Sequence, residues 1–180
     1  FMREAGGIQR GQQEIRGAFE RWTFDLTKDG SSYEVRPLGP PGDMPRIRDA
    51  DTGLPYSSGW YLTVNPNGPP PLPGGPVGMT FNMLIRIDVA HGGLDALALP
   101  PGHAISEPVH VPSAAPGHDG WLLAVVDRQV GDQTFASQLW VIDAGAVGAG
   151  PVAKVHVPLP LRAQVHGTWV PAAQLALAKT

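Results

Sequence analysis

The 180-residue sequence contains no cysteine, which excludes a disulfide framework, a thiolate metal site and a thiol nucleophile. Charged residues are scarce, at 16%, and the formal net charge is −3. This balance supplies no basic field, so nucleic acid is not an expected partner. No apolar run is as long as a membrane span, and no segment resembles a signal peptide. We therefore expect a cytoplasmic location, while peripheral contact with a membrane stays open.

Several catalytic motifs are also missing. The six histidines form no HExxH motif, and the sequence has no GxSxG elbow, Walker loop or GxGxxG fingerprint. These absences argue against HExxH zinc enzymes, serine hydrolases with a nucleophile elbow, and common nucleotide-binding enzymes.

Glycine and proline are abundant instead, with 23 and 20 residues. Both residue types disfavour long helices and favour short strands joined by turns. Apolar and aromatic residues recur in regular blocks along the chain, which argues against disorder. The sequence therefore predicts an all-β fold.

Three segments share one pattern, in which an alternating apolar strand ends in aspartate and a glycine-containing turn leads to a second strand. They begin at Arg21, Met83 and Gln138, and their aspartates are Asp25, Asp88 and Asp143. Alternation with period two around such a turn predicts a β-hairpin. We expect the three aspartates to organise the turns through hydrogen bonds to the backbone, not to form a catalytic triad.

Further strands are predicted between the hairpins, at residues 58–64, 107–111 and 120–127. Together they give about four strands per repeat, the content of one β-propeller blade. The chain thus holds about three blades, whereas a closed propeller needs at least about four. A proline-rich stretch at 68–78 is expected to be a loop. The sequence also begins at Phe1, not Met, and we expect a fragment of a longer protein.

The histidines differ in their surroundings. His91 and His118 lie in predicted turns and are expected to be solvated, and structural roles are expected for the others apart from His166, namely His103, His110 and His156. His166 is followed by Gly167, which permits a close backbone approach and a projecting imidazole. From the residues alone, a ligand role and a structural role for His166 both remain open. The tryptophans at 22, 60, 121 and 169 are assigned to packing.

Six sequence blocks, in this order, resemble the carotenoid cleavage oxygenases. They are RWTFDL at 21–26, GDMPRI at 42–47, SEPVHVP at 106–112, DGWLL at 119–123, GPVA at 150–153 and HGTW at 166–169. The resemblance extends from Arg21 to Pro171 and corresponds to about the last third of a complete family member. It implies a seven-bladed β-propeller, of which residues 1–180 are the C-terminal portion of a single domain.

The resemblance also implies an iron site. Family members hold Fe(II) on the propeller axis with four histidines, three of which are oriented by glutamates. Position by position, His166 corresponds to the last iron ligand and Glu107 to the carboxylate that orients it. Asp43 stands where the family more often has an orienting glutamate, and its reach is shorter. The other three histidines of the family belong upstream of the matched residues.

The implied reaction is oxidative cleavage of a conjugated C=C bond by O₂ into two carbonyl products. The implied substrates are carotenoids, apocarotenoids or hydroxylated stilbenes, and the chain alone is expected to be catalytically incomplete. Two other interpretations stay open. A non-catalytic propeller module that binds a partner protein predicts folded oligomers without metal dependence, and a degenerate remnant predicts aggregation and rapid proteolysis.

Overall fold

A computed structural model of the protein describes residues 18–28, 32–72, 80–132, 134–159, 161 and 165–177. The regular secondary structure of the described part is mostly β-strand, as the composition predicts. Its strands are β1 Phe19–Phe24, β2 Tyr33–Gly39, β3 Asp43–Arg46, β4 Ser58–Thr63, β5 Met83–Asp88, β6 Leu94–Ala98, β7 His103–Ile105, β8 Val109–Val111, β9 Trp121–Gly131, β10 Thr134–Asp143 and β11 Pro151–His156. One short helix, α1 Ala172–Leu177, follows them. Within these ranges no helix has the length and apolar character needed to cross a bilayer.

The strands form three antiparallel sheets. Sheet 1 is the hairpin β1–β2, sheet 2 has the order β3-β4-β5-β6, and sheet 3 has the order β11-β10-β9-β7, with β8 also pairing with β9. The three predicted hairpins are confirmed as β1–β2, β5–β6 and β10–β11. The short strands β3 and β7 are not among the predictions. Residues 29–30 of the first turn and 73–78 of the proline-rich stretch lie outside the described residues.

The three aspartates at the hairpin turns act as predicted. Asp25 and Asp143 each accept a hydrogen bond from the backbone N–H two residues ahead, at 3.0 and 2.8 Å. Asp88 accepts those two and three residues ahead, at 2.9 and 3.0 Å. Hydrogen bonds from Thr27 lower the pKa of Asp25, and hydrogen bonds from His91 lower the pKa of Asp88. These carboxylates organise turns in three separate hairpins.

Strand β4 is the centre of the described structure, because all six of its residues are buried. Its successive side chains face opposite sides of sheet 2. The indole N–H of Trp60 donates to the carbonyl oxygen of Ala144 at 2.9 Å, next to sheet 3. Tyr61 stacks on Phe19 of sheet 1, with ring centroids 4.0 Å apart. The three sheets are therefore layered face to face in the order 1, 2, 3, which is how propeller blades are stacked.

The main hydrophobic core lies between sheets 2 and 3. It includes Trp60, Leu62, Leu84, Leu122, Ala124, Val126, Trp140 and Ile142. An isolated antiparallel bridge between Phe81 and Ile105 joins the two sheets at one end. Burial of each large apolar side chain in such a core stabilises the fold by about 1.5–3 kcal/mol.

The outermost face of sheet 1, in contrast, is not covered by any other described sheet. Trp22 stacks on Tyr33 at 5.0 Å between centroids, beside Phe24, and all three rings are exposed. The packing role predicted for Trp22 is therefore wrong within the described chain, since its side chain is on the face turned away from sheet 2. The same prediction is confirmed for Trp60, which is 1% exposed, and wrong for Trp169, which is exposed.

Candidate functional site

His166 and Glu107, which are 59 residues apart in sequence, meet in the structure. The Nδ1 atom of His166 lies 3.0 Å from Oε2 of Glu107. The Glu107 side chain is 6% exposed, while the imidazole is 75% exposed. A buried carboxylate thus holds one nitrogen of a ring that otherwise faces outward.

Glu107 owes its position to the residue before it. The backbone N–H and the hydroxyl of Ser106 both donate to the carbonyl oxygen of Val125, at 2.9 and 3.1 Å, and the Ser106 hydroxyl accepts the Val125 N–H at 3.1 Å. These bonds attach the segment between β7 and β8 to the middle of β9. Glu107 itself precedes β8, and its side chain is buried.

The segment that carries His166, residues 165–171, has no regular secondary structure and is held by contacts from two sheets. A Cβ atom on Gly167 would lie 2.9 Å from Cγ2 of Val109, so the absence of a side chain lets the backbone lie directly on β8. This is the close approach predicted from the His-Gly pair. From sheet 2, Nη2 of Arg46 donates to the carbonyl oxygen of Gly167 at 3.0 Å. Sequence reasoning assigned no role to Arg46, although its presence in the block 42–47 was an available signal.

The hydrogen bond to Glu107 determines what the imidazole can do. A carboxylate only accepts, so in the neutral imidazole Nδ1 of His166 carries the proton and Nε2 keeps its lone pair. None of the described residues forms a hydrogen bond with Nε2. A histidine whose second nitrogen is free while the first is bonded to a carboxylate has the arrangement of a metal ligand. The geometry therefore fits the predicted roles of both residues, which stay predictions as far as the metal itself is concerned.

Within the described residues, no group of three or more histidine, aspartate or glutamate side chains could hold a metal ion. The donor set present therefore fits one position of an iron site, not a complete one. A stable metal centre at Nε2 needs further ligands from other residues.

Asp43, the other predicted orienting carboxylate, lies apart from this pair. It begins β3 and is exposed, and its Oδ1 accepts the backbone N–H of Met44 at 2.7 Å. Among the described residues no hydrogen bond or ion pair joins Asp43 to His166 or Glu107. Its orienting role stays a prediction.

The remaining histidines divide between surface and core. His91 is exposed, as predicted. His118, which was predicted to be solvated, is only partly exposed, at 27%, and its Nε2 lies 3.4 Å from a carboxylate oxygen of Asp143. His110 is buried and stacks on Trp60 at 5.2 Å, which agrees with its predicted structural role.

An apolar cleft of about 190 Å³ lies beside the imidazole. Its walls come mainly from β8, β9, β10 and the histidine segment, and include Val109, Leu123, Val125, Leu139 and Trp169. The candidate ligand is thus at the edge of an apolar surface of sheet 3.

Comparison with known proteins assigns the chain to a family. The sequence profile of the Retinal pigment epithelial membrane protein family matches residues 2–171. The lignostilbene-α,β-dioxygenase isozyme III of Sphingomonas paucimobilis is 33% identical over 168 residues, which cover 91% of this chain and 34% of that protein. Resveratrol cleavage oxygenase 1 of Botryotinia fuckeliana is 26% identical over 173 residues, covering 89% of this chain and 29% of that protein. The chain therefore spans about a third of the length of the curated relatives.

Solved structures agree with this assignment. The lignostilbene dioxygenase of Pseudomonas brassicacearum superposes with a TM-score of 0.73 at 30% identity, over 85% of this chain and 32% of that one. An apocarotenoid oxygenase from Synechocystis has the same fold, with a TM-score of 0.68 at 19% identity over 84% of this chain. These neighbours are carotenoid oxygenases with seven-bladed β-propellers, and the predicted all-β propeller fold is confirmed. Because the family profile covers nearly the whole sequence, the chain belongs to the carotenoid cleavage oxygenase family.

Proposed function

We propose that this chain supplies one iron ligand, His166, and the carboxylate that orients it, Glu107, to an oxygenase that cleaves the C=C bond of a phenolic, stilbene-type alkene. The observation that carries the proposal is the 3.0 Å contact between Nδ1 of His166 and the buried carboxylate of Glu107. The family relationship supports the identity of the metal, since its members are iron oxygenases.

The names of the matched relatives support the substrate class. They refer to lignostilbene, resveratrol and isoeugenol, and the isoeugenol monooxygenase of Pseudomonas putida is 46% identical over 68 residues. Each of these compounds is a phenol conjugated to an alkene. A carotenoid or apocarotenoid is the alternative substrate within the same family.

The proposed reaction balances without a further reductant. The C=C bond breaks, one atom of O₂ is bonded to each of its carbons, and two carbonyl products result. Bound iron(II) would supply the position at which O₂ is activated.

The residues of this chain contribute orientation and charge. Glu107 keeps the proton of the neutral His166 ring on Nδ1, and this leaves the lone pair on Nε2 for a metal ion. The carboxylate is buried, so water competes little for its hydrogen bond. Its negative charge also offsets the positive charge of a cation held by neutral imidazoles.

The cleft beside His166 is not the proposed substrate site. Its volume of about 190 Å³ is below the roughly 300 Å³ at which ligand pockets begin. A diaryl alkene needs more space than this cleft offers.

The proposal is tested with a chimera in which this chain replaces the matching third of the Pseudomonas brassicacearum lignostilbene dioxygenase. We expect the purified chimera to bind iron and to convert a hydroxylated stilbene into two aldehydes, with one O₂ consumed per alkene. The matched variant His166→Ala should lose both iron and activity, while His91→Ala, an exposed histidine in a turn, should keep both.

A soluble chimera that retains full iron in the His166→Ala variant would contradict the assigned ligand. A folded chimera without iron dependence would favour the non-catalytic module, and a chain that only aggregates would favour the degenerate remnant.

A further inference from the structure

We infer that Arg46 is a positioning residue for His166, acting through the backbone of the histidine segment. Its role toward a metal rests on the proposed function, whereas its effect on the imidazole is independent of any metal. The sequence pattern does not indicate this role, because Arg46 is 121 residues away from the group it contacts.

The contact is between two different sheets. Arg46 ends β3 of sheet 2, where it pairs with Trp60, and its Nη2 atom reaches the carbonyl oxygen of Gly167 at 3.0 Å. Nε of Arg46 is buried and has no hydrogen-bond partner among the described residues. The guanidinium therefore depends on this bond for much of its pairing in the described structure.

The bonded carbonyl belongs to the residue directly after His166, so the bond fixes the backbone that carries the imidazole. The segment has no regular structure, and the imidazole is 75% exposed. Glu107 can hold Nδ1 only while the backbone keeps the ring within reach. Arg46 from sheet 2 and Val109 under Gly167 from sheet 3 fix that backbone from two directions.

The chain offers a matched control. Nη2 of Arg36 donates to the carbonyl oxygen of Val89, also at 3.0 Å, between sheets 1 and 2. It is the same type of bond, of the same length, and it makes no contact with the histidine segment in the described residues. A general loss of rigidity should follow from a variant of either arginine. A change in the tautomer of His166 should follow only from a variant of Arg46.

The test is a long-range proton–nitrogen NMR spectrum of the metal-free chain with ¹⁵N-labelled histidine, at about pH 8, where ordinary imidazoles are neutral. His166→Gln identifies the His166 signals. We expect the native ring to be a single Nδ1–H tautomer. In Arg46→Gln we expect nitrogen shifts averaged between tautomers, as in free histidine, while Arg46→Lys keeps the native pattern in part and Arg36→Gln keeps it fully.

A thermal unfolding curve of each variant checks that the compared chains are folded. If Arg46→Gln does not fold, the test uses Arg46→Lys. The inference is overturned if the Arg46 variants leave the tautomer unchanged, or if Arg36→Gln averages it equally. In the chimera, Arg46→Gln should weaken iron binding by less than the roughly 10–100-fold typical of a residue bonded directly to the ligand. A chimera without iron would refute the proposed function and leave the tautomer result standing.

Discussion

The middle sheet and the outward face of sheet 3 differ in what covers them. All six residues of β4 are buried, because sheet 1 lies on one side of them and sheet 3 on the other. Among the described residues, only one face of sheet 3 is covered in this way. Its other face has half-buried leucines at 123 and 139 and an exposed Val155. The part of the chain that the structure describes forms a closed core where it supplies both layers, and the candidate metal ligand is on a face that this part leaves open.

Two histidines show what this difference does to the same ring. His110 is enclosed between sheets 2 and 3, where Trp60 stacks on it and its Nε2 lies 2.7 Å from a backbone oxygen. His166 has its Nδ1 bonded to a carboxylate and its other edge exposed. An imidazole can bind a metal only if one nitrogen is free of protein partners. The open face is therefore the place where the chain keeps a histidine available.

The largest effect of the difference between covered and open faces is expected at Trp60. Trp60→Ala removes a 1% exposed side chain together with its hydrogen bond to Ala144. We expect a loss of about 3–5 kcal/mol in the free energy of unfolding, measured by denaturant titration. The control is Trp22→Ala on the open face of sheet 1, where the ring is 52% exposed, and we expect about 1 kcal/mol or less. Equal losses would mean that the two faces are equally covered in solution.

The second prediction concerns Glu107, a buried residue whose partner, the imidazole of His166, is exposed. Glu107→Gln keeps the shape of a 6% exposed side chain and removes its charge. In the chimera we expect iron binding to weaken by about 10–100-fold, because the amide holds the Nδ1 proton less firmly and no longer offsets the metal charge. Competition with a chelator measures the affinity. Glu34→Gln, at an exposed position in β2, should leave it unchanged. Unchanged affinity in Glu107→Gln would argue against the orienting role.

Much of the fold could be predicted because the signals are local. Each hairpin is encoded within a few residues by alternation and by an aspartate that bonds to the backbone of its own turn, as Asp88 does. The short strands β3 and β7 have no such signal. They are strands because β4 and β9, distant in sequence, offer hydrogen bonds to them. The alternation around Trp22 shows an apolar face but not whether another layer covers it.

The candidate site depends on contacts that are distant in sequence. Residues alone left the role of His166 open, and only the resemblance paired it with Glu107. The structure shows how that pair is built, through Ser106 bonded to β9 and Gly167 lying on β8. The bond from Arg46 to the histidine segment joins residues 121 positions apart, and no periodicity in the sequence indicates it.

The smallest effect is expected at Tyr61, on the other face of β4. Its hydroxyl is buried against Gly39, forms no hydrogen bond with the described residues, and burial raises its pKa from 10.0 to about 12. The folded state therefore favours the neutral phenol. Its contribution to stability is complete below pH 10.0 and is lost as the pH rises toward about 12. Denaturant titrations across this range should show a steeper loss of the free energy of unfolding for the native chain than for Tyr61→Phe. The control Tyr33→Phe, which removes the hydroxyl of an exposed ring, should follow the native chain. Parallel curves for the native chain and Tyr61→Phe would show that water reaches the hydroxyl, and hence that sheet 1 does not close over β4 as the structure has it.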